Sequence, residues 1–142
     1  LATHDDDRRR IAADPGLIPT AMEEFLRYYA FVTPGRKVMS DVTISGCPVK
    51  AGTMVFLPIA SANRDPREFD RPDEVVIDRE VNRHIAFGAG PHRCLGSHLA
   101  RQELRVAFEM WHERIPEYRL RDGAEILEHG GQIGLDSLPL VW

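Results

Sequence analysis

Residues 87–96 read Phe87-Gly88-Ala89-Gly90-Pro91-His92-Arg93-Cys94-Leu95-Gly96, and this stretch decides how the rest of the 142-residue chain is understood. Three glycines surround one cysteine, and the run from Leu95 to Trp111 places Leu99, Leu104, Ala107, Phe108 and Trp111 at helical spacing. The loop is therefore expected to deliver a thiol to the start of a long helix, where unpaired N–H groups and the positive dipole end favour thiolate over thiol. Gly88, Gly90 and Gly96 allow positive φ and carry no Cβ, so a flat, bulky partner can approach the backbone. Two plainer readings stand beside this one. An unpaired cysteine is commonly a small buried hydrophobe. A zinc site needs about four ligands, and only His92 and Cys94 lie close together here.

Upstream of the loop, residues 63–83 are rich in Asp, Arg and Pro and have no usable period. An irregular stretch of that length in a compact protein is either functional or tightly pinned. Earlier still, Lys37 to Ile44 alternates around Val38, Val42 and Ile44, and Met54 to Leu57 forms a second β-like run. Together they predict one small antiparallel hairpin, with Cys47-Pro48 in the turn region and no role for Cys47. Ile18 to Tyr29 reads as a helix through Met22, Phe25, Leu26 and Tyr29, with Pro19 and Thr20 in its first turn. On that helix Glu24 and Arg27 share a face; as an exposed pair they contribute about a few tenths of a kcal/mol. Leu1 to Asp14 places Asp5, Asp6 and Asp7 before Arg8, Arg9 and Arg10, an order that suits a helix macrodipole on a solvated face. Asp14-Pro15-Gly16 stops that helix. After Trp111, the segment from Pro116 to Trp142 contains strand-like pieces separated by Asp122-Gly123 and Gly130-Gly131.

Composition narrows the function classes. Hydrophobic residues make up 43% and charged residues 28%, a globular balance, and the net charge of -4 offers no basic surplus for a phosphate backbone. No nucleic-acid partner is expected. The longest apolar runs are short, so no membrane span is expected. Two cysteines make no disulfide framework and point to a reducing, cytoplasmic compartment. Leu1 is not an initiator Met, and the chain reads as a piece of something longer.

The pattern Phe-Gly-x-Gly-x-His-x-Cys-x-Gly, filled at every fixed position by Phe87, Gly88, Gly90, His92, Cys94 and Gly96, resembles the haem-ligand loop of the cytochromes P-450. These are haem-thiolate monooxygenases, and the likeness is to their soluble bacterial form. Glu24-Phe25-Leu26-Arg27 resembles the Glu-x-x-Arg motif of the family's K helix, standing in the right order before the cysteine loop. In the family that pair is buried and completed by an arginine from the irregular stretch, which makes Arg79 the candidate third member. The chain's end, including Leu138 to Trp142, looks most like the camphor-hydroxylase branch. The resemblance covers the whole chain and implies a mainly α fold with small β-sheets, residues 1–142 being the C-terminal haem-binding segment of a single domain. The remaining N-terminal part, with substrate-recognition segments and the acid–alcohol pair for oxygen activation, would lie outside it.

What the resemblance implies for single residues follows its motifs. Cys94 is the expected catalytic residue and iron ligand of haem b. Phe87 and Gly88 belong to the cofactor loop; His92 and Arg36 would bind the haem propionates; Leu95, Gly96 and Ala100 would lie under the ring. Val32 resembles a substrate-facing position. Without the resemblance, Phe87, Leu95, Gly96 and Ala100 read as core packing, His92 as a solvated loop residue and Arg36 as a surface strand arginine. Arg93, Arg101 and Arg105 would steer an acidic iron–sulfur ferredoxin or flavin redox partner, or are ordinary helix-surface arginines. The implied activity inserts one atom of dioxygen into a small apolar substrate, with electrons from NAD(P)H through that partner. The rival readings are a non-catalytic haem-binding fragment and a peroxide-using haem-thiolate enzyme. The helix from Leu95 to Trp111 is apolar around much of its circumference, so its packing partners are expected outside this chain.

Overall fold

The computed structural model of the chain describes residues 1–126, 128–129 and 134–142. Its first helix, α1 (Asp5–Ala13), has Asp5, Asp6 and Asp7 in the first turn and Arg10 in the last, as the macrodipole favours. Asp14 ends it, and the Asp14 carboxylate accepts the Gly16 N–H at 2.9 Å to lead into a 3-10 turn, Pro15–Leu17. One member of the charge run departs from the expected solvated face. Arg8 is buried, donating to Asp5 at 2.6 Å and to Glu117 at 2.9 Å, with its guanidinium 5.4 Å from the centre of the Tyr118 ring. The long stem and planar head of arginine let it span this gap between α1 and the distant tail.

Helix α2 (Ile18–Tyr28) turns Ile18, Ala21 and Met22 into the core, where they meet Ile11 and Ile77. Helix α4 (Ser97–Arg114) packs across α2 by Leu104 and Phe108, and the Phe25 and Phe108 rings stack at 5.7 Å. Aromatic pairs at such a separation contribute about 0.5–1.5 kcal/mol beyond the area they bury. The opposite face of α2 carries Glu24 and Arg27 and is buried too, so this helix is enclosed from both sides.

The expected single hairpin is two ladders, one inside the other. Strand β1 (Gly35–Lys37) pairs with β4 (Met54–Phe56), and between them β2 (Val42–Ile44) pairs with β3 (Cys47–Val49). The alternating run breaks after Lys37 because Asp41 is recruited elsewhere: its carboxylate accepts the Ala51 N–H at 2.9 Å and Lys50 Nζ at 2.7 Å. Ser45 (φ 47°) and Gly46 (φ 83°) make the two-residue turn with both φ positive, the geometry that matches strand twist. Cys47 accordingly lies in β3, opposite Ile44, and not in the turn.

A short helix, α3 (Ile59–Ala62), precedes the irregular segment 63–83, and the cysteine loop then leads into α4. The tail forms two further antiparallel ladders: β5 (Arg119–Leu120) with β8 (Leu140–Val141), and β6 (Glu128–His129) with β7 (Gly134–Leu135). Gly123 (φ 71°) serves the expected turn at Asp122-Gly123, whereas Gly130-Gly131 lies outside the described residues. Among the described residues no helix is long and apolar enough to cross a membrane. Helix α4 leaves Leu99, Val106, Met110 and Trp111 exposed while Leu104 and Phe108 are covered, so its apolar circumference is only partly used.

Candidate functional site

The cysteine loop is held by its own backbone. Gly88 N donates to Ile85 O at 2.8 Å, and Cys94 N donates to Phe87 O at 2.8 Å, which closes the loop immediately before the thiol. Gly88 (φ 72°) and Gly90 (φ 67°) occupy the left-handed region that these reversals require. A 3-10 turn over Gly90–His92 bridges them, and Arg93 N donates to Gly90 O at 3.1 Å. Ser97 N reaches Cys94 O at 3.3 Å and Ala100 N reaches Gly96 O at 2.9 Å, so α4 begins directly beyond the cysteine.

The Cys94 thiol is exposed at this helix start, and the next residue, Leu95, is 98% exposed. Leu99 follows one turn later, also exposed, and Ala100 is half-buried. A Cβ built on Gly96 would stand 3.9 Å from Cys94 Sγ, in ordinary van der Waals contact with the sulfur. One sulfur ligand beside bare apolar surface suits a broad planar group that brings its metal with it. Among the described residues no group of three His, Cys, Asp or Glu side chains could hold a bare metal ion.

Two consecutive glutamates frame the loop from behind. Glu24 accepts Arg27 Nε and Nη2 at 2.8 Å each, Arg79 Nε at 2.9 Å, the Val76 N–H at 2.8 Å and Asn82 Nδ2 at 3.0 Å. Arg27 spends its remaining donors on the carbonyls of Asn63, Pro72 and Glu74. Burial acts to raise the Glu24 carboxyl, but the hydrogen bonds from Arg27, Arg79 and Val76 outweigh it and hold it below the ordinary carboxylate value. A fully hydrogen-bonded buried ion pair of this kind pins the irregular segment to α2.

Glu23 accepts Arg101 Nε at 2.5 Å and Nη2 at 2.8 Å, and pairs with His84 Nε2 at 2.8 Å. The Arg101 hydrogen bond is the main cause holding the Glu23 carboxyl below its ordinary value. The Arg101 guanidinium also lies 4.7 Å from the centre of the Phe87 ring. Arg101 is thus engaged internally rather than presented as a basic group to a partner. The sequence pattern missed this because the glutamate that claims it lies 78 residues away. Arg105 pairs with Glu109 on the exposed side of α4, and Arg93 is exposed on the loop.

Phe87, Gly88, Gly90, Arg93 and Arg101 line one open hollow of about 310 Å³ with His84. Arg36 stands apart on β1 and donates to the Gly35 carbonyl at 2.8 Å; Val32 precedes that strand, half-buried; His92 is exposed at the end of its 3-10 turn. Asn63, absent from the sequence reading, is buried and joins two segments: Nδ2 donates to Arg27 O at 3.3 Å and Oδ1 accepts the Ile85 N–H at 2.9 Å. Nothing in a polar, aperiodic stretch distinguishes such an asparagine from its exposed neighbours.

The family model described as Cytochrome P450 matches residues 16–111. Cytochrome P450 105C1 from a Streptomyces species is 47% identical over 147 residues, covering 100% of this chain and 39% of its own. The Vitamin D(3) 25-hydroxylase of Pseudonocardia autotrophica is 44% identical, over 99% of this chain and 36% of its own. Among solved structures, CYP101J2 superposes with a TM-score of 0.91 at 38% identity, over 100% of this chain and 37% of that one. The LnmA cytochrome P450 hydroxylase of Streptomyces atroolivaceus gives 0.85 at 43% identity, over 100% and 38%. The chain spans little more than a third of the length of the relatives it matches.

Proposed function

Because this chain belongs to the cytochrome P450 family, whose members bind haem b, we propose that residues 1–142 are the C-terminal, haem-binding part of a haem-thiolate monooxygenase. When bound, the haem supplies dioxygen activation and transfer of one oxygen atom to substrate. The exposed Cys94 thiol at the start of α4, beside a bare Leu95, carries this reading. Cys94 supplies the sulfur ligand, presented at the start of α4 by the loop that Gly88 and Gly90 shape. Leu95 offers bare apolar surface beside the sulfur, and Gly96 and Ala100 leave room for the ring to lie close. His92 and Arg36 offer donors to the two propionates, and Val32 faces a small apolar substrate. Arg93, with Arg105 further along α4, offers positive charge to an iron–sulfur ferredoxin or flavin protein that passes on electrons from NAD(P)H. The N-terminal part of the domain completes the pocket and contributes the groups that activate oxygen. The test is the spectrum of the reduced carbon-monoxide complex of the complete domain. Thiolate ligation is expected for the wild type and its loss for Cys94→His; a histidine-ligated wild-type spectrum would overturn the proposal.

A further inference from the structure

Two hydrogen bonds hold the His84 ring. Ala86 N–H points at His84 Nδ1, at 3.2 Å, so Nδ1 is the acceptor and Nε2 carries the proton that is donated to Glu23. The ring thus meets the carboxylate on that side. From the other side Arg101 meets the same carboxylate through the two-pronged fork of Nε and Nη2, and Nη1 reaches Ser97 O at 3.4 Å. A forked pair fixes the plane of the guanidinium as well as its position. That plane lies against Phe87, whose carbonyl accepts the Cys94 N–H. His84 stands before the cysteine loop and Arg101 after it, so one carboxylate from α2 closes both ends. A surface ion pair would leave its members well solvated; here the Glu23, Arg101 and His84 side chains are 30%, 26% and 3% exposed.

We propose that Glu23 is a positioning residue that closes the base of the Cys94 loop through His84 and Arg101, and that the Arg101 guanidinium against Phe87 sets the placement of the sulfur. This rests on Cys94 being the iron ligand. The consequence is retention of the thiolate bond: with the clamp loosened, Phe87 and the Cys94 N–H shift together and the sulfur is lost more readily from the iron.

The test uses the complete haem-loaded domain and reads three quantities: the rate at which the reduced carbon-monoxide complex loses its thiolate signature, the haem reduction potential and the melting temperature. Glu23→Gln and Arg101→Gln should speed loss of the signature several-fold and shift the potential. Arg101→Lys keeps a charge for Glu23 but has neither fork nor plane; it should hold a melting temperature near the wild type and still lose the signature faster. Arg9→Gln, on the exposed side of α1, should match the wild type in all three. Should the glutamine variants fail to load haem, Arg101→Lys decides. A wild-type thiolate spectrum whose decay and potential are unmoved in Arg101→Lys and in any glutamine variant that loads would overturn this proposal alone, whatever happens to the melting temperature. A wild type without thiolate character would overturn the Cys94 assignment and this proposal with it.

Discussion

Glu23 and Glu24 are consecutive on α2, yet their carboxylates hold different stretches of chain: Glu24 binds Val76, Arg79 and Asn82, and Glu23 binds His84 and Arg101. Successive helical residues point about 100° apart, a consequence of 3.6 residues per turn. One short piece of helix can therefore present acids in two directions and set two loops relative to each other. The irregular segment and the cysteine loop share this single reference.

The Glu24 cluster sets the first prediction. Glu24→Ala or Arg27→Ala in the complete domain should cost about 3–5 kcal/mol, because each leaves its partner's charge buried and unmatched. Thermal unfolding and haem content measure this, and both should fall. Wild-type values for both variants would mean that the pair contributes no more than a surface one.

Acid should act through the same carboxylates. Glu23 and Glu24 both titrate below their ordinary value of 4.5 in the folded chain. Above that value both folded and unfolded states are ionised, and the stabilisation is fully present. As pH falls below it, the unfolded chain takes up protons first, so stability declines until the folded carboxyls are themselves protonated. Urea midpoints of the complete domain across this range should drop, and Glu24→Gln should flatten the slope.

Electron delivery separates the arginines. Arg93→Glu should slow first-electron transfer from an acidic partner several-fold at low salt, with the difference shrinking as salt screens the encounter. Stopped-flow reduction at two ionic strengths checks it. Arg101→Glu is a poor probe of the same face, since it would set two carboxylates against each other where Glu23 now accepts the fork.

The segment expressed alone should not behave as a finished protein. Leu95, Leu99, Val106, Met110 and Trp111 on and before α4, with Tyr29, Phe31, Met54 and Phe56 elsewhere, are all exposed large apolar side chains. Surface of that kind drives association. Residues 1–142 are expected to aggregate or melt without cooperativity, bind haem weakly and turn over no substrate. A sharp calorimetric transition with one tightly held haem per chain would contradict this.

Much of this was legible in the chain because the informative signals are local. Six fixed residues within the ten of the cysteine loop, and long periodic runs for α2 and α4, depend little on distant neighbours. The rest depended on tertiary approach. Arg8 is buried because Glu117 and Tyr118 come to it from the tail, and no charge pattern near residue 8 encodes that. The run from Lys37 to Ile44 reads as one strand because its alternation continues through the break at which Asp41 accepts from Lys50 and Ala51. Nothing local singles out Glu23 beside the motif acid, because its partners stand 61 and 78 residues downstream.

The same distances govern the order in which the chain can be finished during synthesis. Val76, Arg79 and Asn82 follow Glu24 by 52, 55 and 58 residues. Closing loops of that length requires entropy to be lost before any contact rewards it. Until Asn82 has been translated, the nascent chain lacks donors that the Glu24 carboxylate accepts in the folded state, and the apolar face of α2 waits longer still, for Leu104 and Phe108 of α4. The buried cluster can therefore be completed only after the segment leading to the cysteine has been translated.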